Sequence, residues 1–120
     1  MMTPEMPLQR YANFDVKMEW GVSVKDRKTV IEGHIRNIRY ARMENIEVWV
    51  QYRDAQGKNV ARAVDLVMPR QLELNAAAPF RVALPTVVPP GGRLVFTYKY
   101  NGDDGGDASG WMQSFDSSMV

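Results

Sequence analysis

The sequence contains no cysteine and a single histidine, and both scarcities exclude classes of function. Without cysteine there are no disulfide bonds, no thiol catalysis and no zinc–thiolate site, while the redox compartment stays open. The lone histidine, His34, falls among charged residues of a predicted strand, and no nucleophile motif such as G-x-S-x-G accompanies it. The glycine-rich loops lack the following helix of a phosphate-binding motif. We therefore expect no enzyme activity, no catalytic residues, no cofactor and no metal.

Long apolar runs and an excess of one charge are also missing. No segment approaches the roughly 20 apolar residues of a membrane-spanning helix, and residues 1–10 lack a basic start followed by an apolar stretch. With 15 basic and 14 acidic residues, the net charge of +1 draws the chain to no polyanion. We expect no membrane insertion and no nucleic-acid partner. The chain is either cytoplasmic or an envelope or secreted protein whose signal or anchor has been removed.

What is present is a repeated alternation of apolar and polar residues, the period of a strand with one buried face. Residues 14–25 place Phe14 in the inward phase and Asp15 in the outward phase, and Gly21 predicts a bulge or bend. No segment shows convincing helical spacing. The predicted strands are residues 14–25, 29–37, 46–53, 59–67, 78–84, 94–100 and 110–117.

Seven short strands joined by turns predict an all-β fold, a seven-stranded antiparallel immunoglobulin-like β-sandwich. We place this single domain at residues 11–120 and expect residues 1–10 to be a flexible N-terminal segment. Connections alternate between the two ends of such a sandwich. The loops at 38–45 and 101–110 therefore fall at one end, provided that residues 68–77 hide no further strand.

The run VIEGHIRNIRYARMENIEVWVQYRDAQGKNVARAV, followed by LELNAAAPFRVALP, resembles the FxLYD type of immunoglobulin-like domain and its relatives in bacterial envelope proteins. The matching elements are G-x-I-x-N at Gly33, Ile35 and Asn37, V-x-V-x-Y-x-D-x-x-G at residues 48–57, and A-P-F at residues 78–80. Val50 and Gln51 replace the phenylalanine and leucine that name the family. The resemblance implies a small noncatalytic module of a secreted or membrane-anchored protein, with no active-site residues to transfer.

Trp49 is the first candidate for a binding surface, because it shares the phase of the polar residues in its predicted strand. Tryptophan on a polar face is a common anchor of protein interfaces and of sugar stacking. The alternative is that a neighbouring loop, or the proline-rich segment at residues 85–92, covers the ring.

Two charged loops complete the candidate surface. The stretch RNIRYAR contributes Arg36, Arg39, Tyr40 and Arg42, and the stretch NGDDGGDASG contributes Asp103, Asp104 and Asp107. The arginines indicate solvated loop charges or a weak anion site. The aspartates do not follow the EF-hand spacing, so a mobile acidic hairpin tip is favoured over a calcium site. Because both loops are predicted at one end of the sandwich, their charges can match.

These features predict a noncatalytic binding or interaction module, an accessory domain of a bacterial envelope or secreted protein. Its partner would be a protein or a glycan, and the chain would be a monomer or a weak edge-paired dimer. Two alternatives stay open. One is a carbohydrate-binding or calcium-stabilised module that uses Trp49 or the acidic loop, and the other is a structural spacer.

Overall fold

The computed structural model describes residues 8–105 and 109–119, which form nine β-strands and no helix. The strands are β1 (Gln9–Ala12), β2 (Val16–Lys25), β3 (Lys28–Asn37), β4 (Arg42–Arg53), β5 (Asn59–Leu66), β6 (Gln71–Glu73), β7 (Ala77–Leu84), β8 (Arg93–Asp103) and β9 (Ser109–Ser118). The all-β antiparallel class is confirmed. The predicted count of seven is wrong, because β1 and β6 are too short to give an alternation signal. Within the same described ranges, no helix is long and apolar enough to cross a membrane.

The strands form two antiparallel sheets. Sheet 1 has the order β1-β2-β3-β7, and sheet 2 has the order β5-β4-β8-β9, with β6 also paired to β4. Along β4, β5 ends opposite Glu47 and β6 ends opposite Arg42, so β6 continues in the direction of β5. The additional strand in residues 68–77 therefore does not reverse the chain. Residues 38–45 and the described part of the second loop, residues 101–105, lie together, with Arg42 opposite Asp103.

The core lies between the sheets and is built by the inward phases of the long strands. Trp20 of sheet 1 meets Phe96 of sheet 2 with ring centroids 4.6 Å apart. Burial of each large apolar side chain contributes about 1.5–3 kcal/mol. β2 pairs with β3 without a register shift, so the bulge expected at Gly21 is absent from this strand. The largest fully buried side chains are Trp20, Tyr98, Phe96, Ile31, Ile35, Met43, Ile46, Leu84, Leu94, Val16, Val48 and Val50.

The predicted phase is wrong at the start of β2. The alternation places Phe14 inward and Asp15 outward, whereas Phe14 is 50% exposed and Asp15 is fully buried. Residues 13–15 lie between β1 and β2, where the chain bends. Period two holds only while the backbone stays extended, and a bend resets the direction of the next side chains. Alternation alone therefore predicts the wrong side of the sheet for both Phe14 and Asp15.

β1 begins at Gln9, within the segment 1–10 that was expected to be flexible, and residues 1–7 lie outside the described residues. Gln9 Nε2 donates to the carbonyl oxygen of Ser118 at 3.2 Å, and Ser117 Oγ donates to Gln9 Oε1 at 2.6 Å. The first strand of sheet 1 is thereby tied to the last strand of sheet 2. One side of the sandwich is closed by this contact.

Gly33 marks a close approach between β3 and β2. A Cβ atom at this position would lie 1.9 Å from the carbonyl oxygen of Glu19 and 2.7 Å from Cα of Trp20. Both neighbours are backbone atoms of a paired strand, so neither can move without disturbing sheet 1. Glycine is required here for space, and its freedom in φ plays no part.

We expect Gly33→Ala to lower the free energy of unfolding by about 3 kcal/mol, because the added methyl group forces strand β2 away from β3. Urea denaturation measures this loss. Gly110→Ala in β9 is the matched control, since its Cβ would meet its nearest atom, Asn101 Oδ1, at 3.5 Å. Equal destabilisation by both variants would contradict the close approach at Gly33.

Candidate interaction surface

The arginine loop and the acidic loop pair with each other. Arg39 Nη1 donates to Asp104 Oδ2 at 2.9 Å, and Arg42 Nη2 donates to Asp103 Oδ2 at 3.0 Å. Both pairs are partly solvent-exposed, so each contributes little to stability. Their effect is to fix the position of the loop after β8 relative to the start of β4.

The two aspartates are also held by backbone donors. The Gly105 N–H donates to Asp103 Oδ1 at 2.7 Å, and the Ala41 N–H donates to Asp104 Oδ1 at 3.1 Å. The Gly105 N–H, followed by Arg42, holds the pKa of Asp103 below its usual value. β8 continues to Asp103, so part of the expected mobile tip is strand. Asp107 lies outside the described residues, and residues 8–105 and 109–119 contain no group of three or more acidic, histidine or cysteine ligands that could hold a metal.

Tyr40 does not belong to a surface, which corrects the expectation for this residue. Its side chain is buried, and a Cβ on Gly102 would lie 2.9 Å from the Tyr40 ring. The buried side chain of Asn37 shapes the loop. Its Oδ1 accepts from the N–H groups of Arg39 and Tyr40, and its Nδ2 donates to the carbonyl oxygens of Tyr40 and Leu72. These four bonds turn the chain so that Tyr40 points inward.

Trp49 lies on the outer face of sheet 2, apart from the paired loops. Its Nε1 donates to Glu47 Oε1 at 2.9 Å. The cationic groups of Arg62 and Lys99 lie 5.7 and 5.5 Å from the ring centroid. Neighbouring strands of the same sheet thus supply its contacts, and the ring is partly buried. The indole N–H of Trp49 and its ring face therefore already have partners within the protein.

A second aromatic pair is exposed at the beginning of β9. Phe14 and Trp111 are 50% and 40% exposed, and their rings meet edge to face with centroids 6.1 Å apart. The period of two predicts a buried Phe14, so the sequence alone does not reveal this exposed pair. Further along β9, Tyr11 of β1 stacks on Phe115 with centroids 3.7 Å apart. Because β1 ends at Ala12, this strand does not extend over Trp111.

β9 is also an edge strand, and its first seven residues, SGWMQSF, carry no charge. The remaining edge strands β1, β5, β6 and β7 each contain a charged residue. Edges β5 and β7 are also joined, since the Arg81 N–H donates to Asp65 Oδ2 at 2.8 Å. Natural proteins usually protect edge strands with charges or covering segments. The first half of β9 has neither among the described residues.

Beneath the aromatic pair, a buried carboxylate links the two sheets. Asp15 accepts hydrogen bonds from the hydroxyls of Tyr98, at 2.8 Å, and Tyr100 in β8, and its carbonyl oxygen accepts from the Ile38 N–H at 3.1 Å. Burial raises the pKa of both phenols, and the neighbouring carboxylate raises them further. This linkage fixes the bend that turns Phe14 outward.

Comparisons with known proteins bear on the fold. No protein-family model and no curated protein matches the chain. The chain is similar to the GAE domain of GGA2p from Saccharomyces cerevisiae, with 8% sequence identity and a TM-score of 0.64 over 97% of this chain and 98% of that chain. It is also similar to the yeast GGA1 GAE domain, with 13% identity and a TM-score of 0.63 over 93% and 99%. The TM-scores show a shared β-sandwich fold, and at such low identity they show the fold alone. The FxLYD resemblance stays a prediction.

The raised pKa values of Tyr98 and Tyr100 predict a loss of stability at alkaline pH. Above pH 10, the ordinary tyrosine pKa, unfolded tyrosines release protons that the folded pair retains. The unfolded state then binds fewer protons, so the free energy of unfolding falls as pH rises, by up to about 1.4 kcal/mol per unit for each tyrosine. Urea unfolding between pH 7 and 11.5 measures this slope, which Tyr98→Phe and Tyr100→Phe should each reduce. Native-state titration of all five tyrosines near pH 10 would contradict the account.

Proposed function

We propose that this chain is a noncatalytic protein-interaction module that captures an extended segment of a partner protein along the first half of β9. The observation that carries the proposal is the exposed pair of Phe14 and Trp111 at a sheet edge that has neither a charge in its first seven residues nor a covering segment among the described residues. In strand addition, the edge supplies main-chain hydrogen bonds, and neighbouring side chains select the partner. Exposed tryptophan is a frequent energetic centre of such contacts.

The internal contacts of the candidate residues favour this edge over the surface expected from the sequence. The two charged loops pair with each other through Arg39 with Asp104 and Arg42 with Asp103. The indole N–H of Trp49 already donates to Glu47 of the same sheet. A ligand at those positions would first have to displace internal partners. Within the described ranges, the indole side chain of Trp111 makes no hydrogen bond and no cation–π contact, so its surface is available to a partner at no such cost.

Met112 extends the apolar surface to the opposite face of β9. It is 62% exposed and is the cross-strand partner of Lys99. Successive residues of a strand point to opposite faces, so an added strand would contact Trp111 on one face and Met112 on the other. The central residues of the partner segment should therefore place apolar side chains on both faces of the added strand.

The cellular location and the alternative functions depend on features other than the β9 edge. An envelope or secreted location rests on the FxLYD resemblance alone. The glycan-binding, calcium-stabilised and spacer alternatives use Trp49, the acidic loop or no site, and no contact described here favours them over the β9 edge. A weak dimer formed through two β9 edges is a distinct outcome that the experiment must separate from partner capture.

Selection of a displayed random-peptide library on the folded protein tests the proposal. We expect enriched peptides with adjacent apolar residues, and their titration should shift the backbone amide resonances of residues 109–113 and the indole resonance of Trp111. Trp111→Ala and Phe14→Ala should each weaken binding about tenfold, equivalent to about 1.4 kcal/mol. Trp49→Ala is the matched control and should leave the affinity unchanged.

Two results would contradict the proposal. Peptides that bind Trp111→Ala as tightly as the parent protein would exclude the β9 edge as their site. Concentration-dependent dimerisation in sedimentation, abolished by Trp111→Ala and unaccompanied by peptide enrichment, would make this edge a contact between copies of the chain.

A further inference from the structure

The outer face of sheet 1 contains a groove of about 750 Å³ that is separate from the β9 edge. Its floor includes the row Ala12, Lys17, Arg36 and Ala77, which are cross-strand partners in β1, β2, β3 and β7. The alanines at the two ends of this row are short, so the groove is open beside the two central cations. The next row contains Arg10, Glu19 and His34.

Charge in the groove is unbalanced. Arg10 Nε lies 3.2 Å from Glu19 Oε2, so the one carboxylate that lines the groove among the described residues is already paired. Lys17 has no carboxylate within 4.0 Å among the described residues, and neither does Arg36. Arg36 Nη1 donates to the backbone carbonyl oxygen of Asn75, which orients the guanidinium without neutralising it.

Lys17 and Arg36 are direct cross-strand partners, and both are exposed on the same face. Side chains in this relation have Cβ atoms about 4.5–5.5 Å apart, and like charges there oppose sheet formation. No carboxylate within 4.0 Å of either cation offsets this repulsion among the described residues. An adjacent pair of unneutralised cations in a groove is therefore explained better by an anionic ligand than by the stability of the sheet.

We propose that this groove binds an acidic segment of a partner protein, whose carboxylates lie on Lys17 and Arg36. A nucleic acid fits less well, because Glu19 and, in the adjoining hollow, Glu32 and Asp65 would face a continuous chain of phosphates. The three strand spacings across sheet 1 span about 14 Å, enough for about four extended residues. Binding through exposed charges is weak and falls with added salt.

The test uses the folded chain and a fluorescein-labelled ten-residue peptide of alternating glutamate and serine. We expect anisotropy to report binding, with amide shifts centred on Lys17 and Arg36, and at least a tenfold loss in the double variant Lys17→Ala, Arg36→Ala. The control double variant Lys25→Ala, Lys58→Ala removes the same charge from exposed positions elsewhere and should bind as the parent does.

Further measurements separate the alternatives. A peptide of alternating glutamine and serine should not bind. Raising NaCl from about 0.1 to 0.5 M should lower the affinity of the acidic peptide severalfold. The single variant Lys17→Ala should be at least as resistant to urea as the parent, because it relieves the like-charge contact and keeps the hydrogen bond from Arg36 to the Asn75 carbonyl oxygen. Equal losses in both double variants, or tighter binding of a ten-residue oligothymidylate that depends on Lys17 and Arg36, would overturn the proposal.

Discussion

The buried carboxylate of Asp15 is the contact on which the arrangement of this sandwich and its surface depends. It precedes β2 in sheet 1 and accepts hydrogen bonds from two tyrosines of β8 in sheet 2. A buried carboxylate without such donors would cost several kcal/mol, so the bend at residues 13–15 and the inward tyrosines require each other. The same bend turns Phe14 to solvent beside Trp111, and an internal polar contact thereby sets an external aromatic one.

Much of the fold could be predicted from the sequence, because seven segments keep a period of two over most of their lengths. The core side chains Trp20, Ile31 and Phe96 follow from that period. β1 and β6 could not be found in this way, since strands of four and three residues are too short for a pattern. β6 is positioned by its pairing with β4, which lies far earlier in the chain, and β1 by its pairing with the adjacent strand β2. A short window of sequence specifies neither pairing.

The candidate site was less accessible to sequence reasoning. The meeting of the arginine and acidic loops followed from strand direction, which β6 preserved. The burial of Tyr40 depends on four hydrogen bonds made by Asn37, and the exposure of Phe14 depends on Asp15. In both cases the hydrogen bonds of a buried polar side chain decide whether a neighbouring aromatic residue is buried or exposed. The spacing of apolar residues carries no information about such bonds.

The surface groups fall into two sets. At the loop end and around Trp49, charges and aromatic rings satisfy one another, so these parts of the surface have a structural role. On the outer face of sheet 1, Lys17 and Arg36 have no carboxylate partner among the described residues, and at the first half of β9 the exposed ring of Trp111 has only the ring of Phe14 beside it. The two proposed recognition sites lie in this second set, because a ligand there would displace water and no internal partner.

The most direct test of the account is a 19F NMR spectrum of protein labelled with fluorotryptophan, which reports Trp20, Trp49 and Trp111 separately. The account predicts that Asp15→Ala shifts the Trp111 resonance as Phe14→Ala does, while the Trp49 resonance stays in place. Dispersion of the Trp20 resonance shows that the core remains folded. A Trp111 resonance that responds to Phe14→Ala but not to Asp15→Ala, in a folded protein, would contradict the claim that the buried carboxylate positions the exposed aromatic pair.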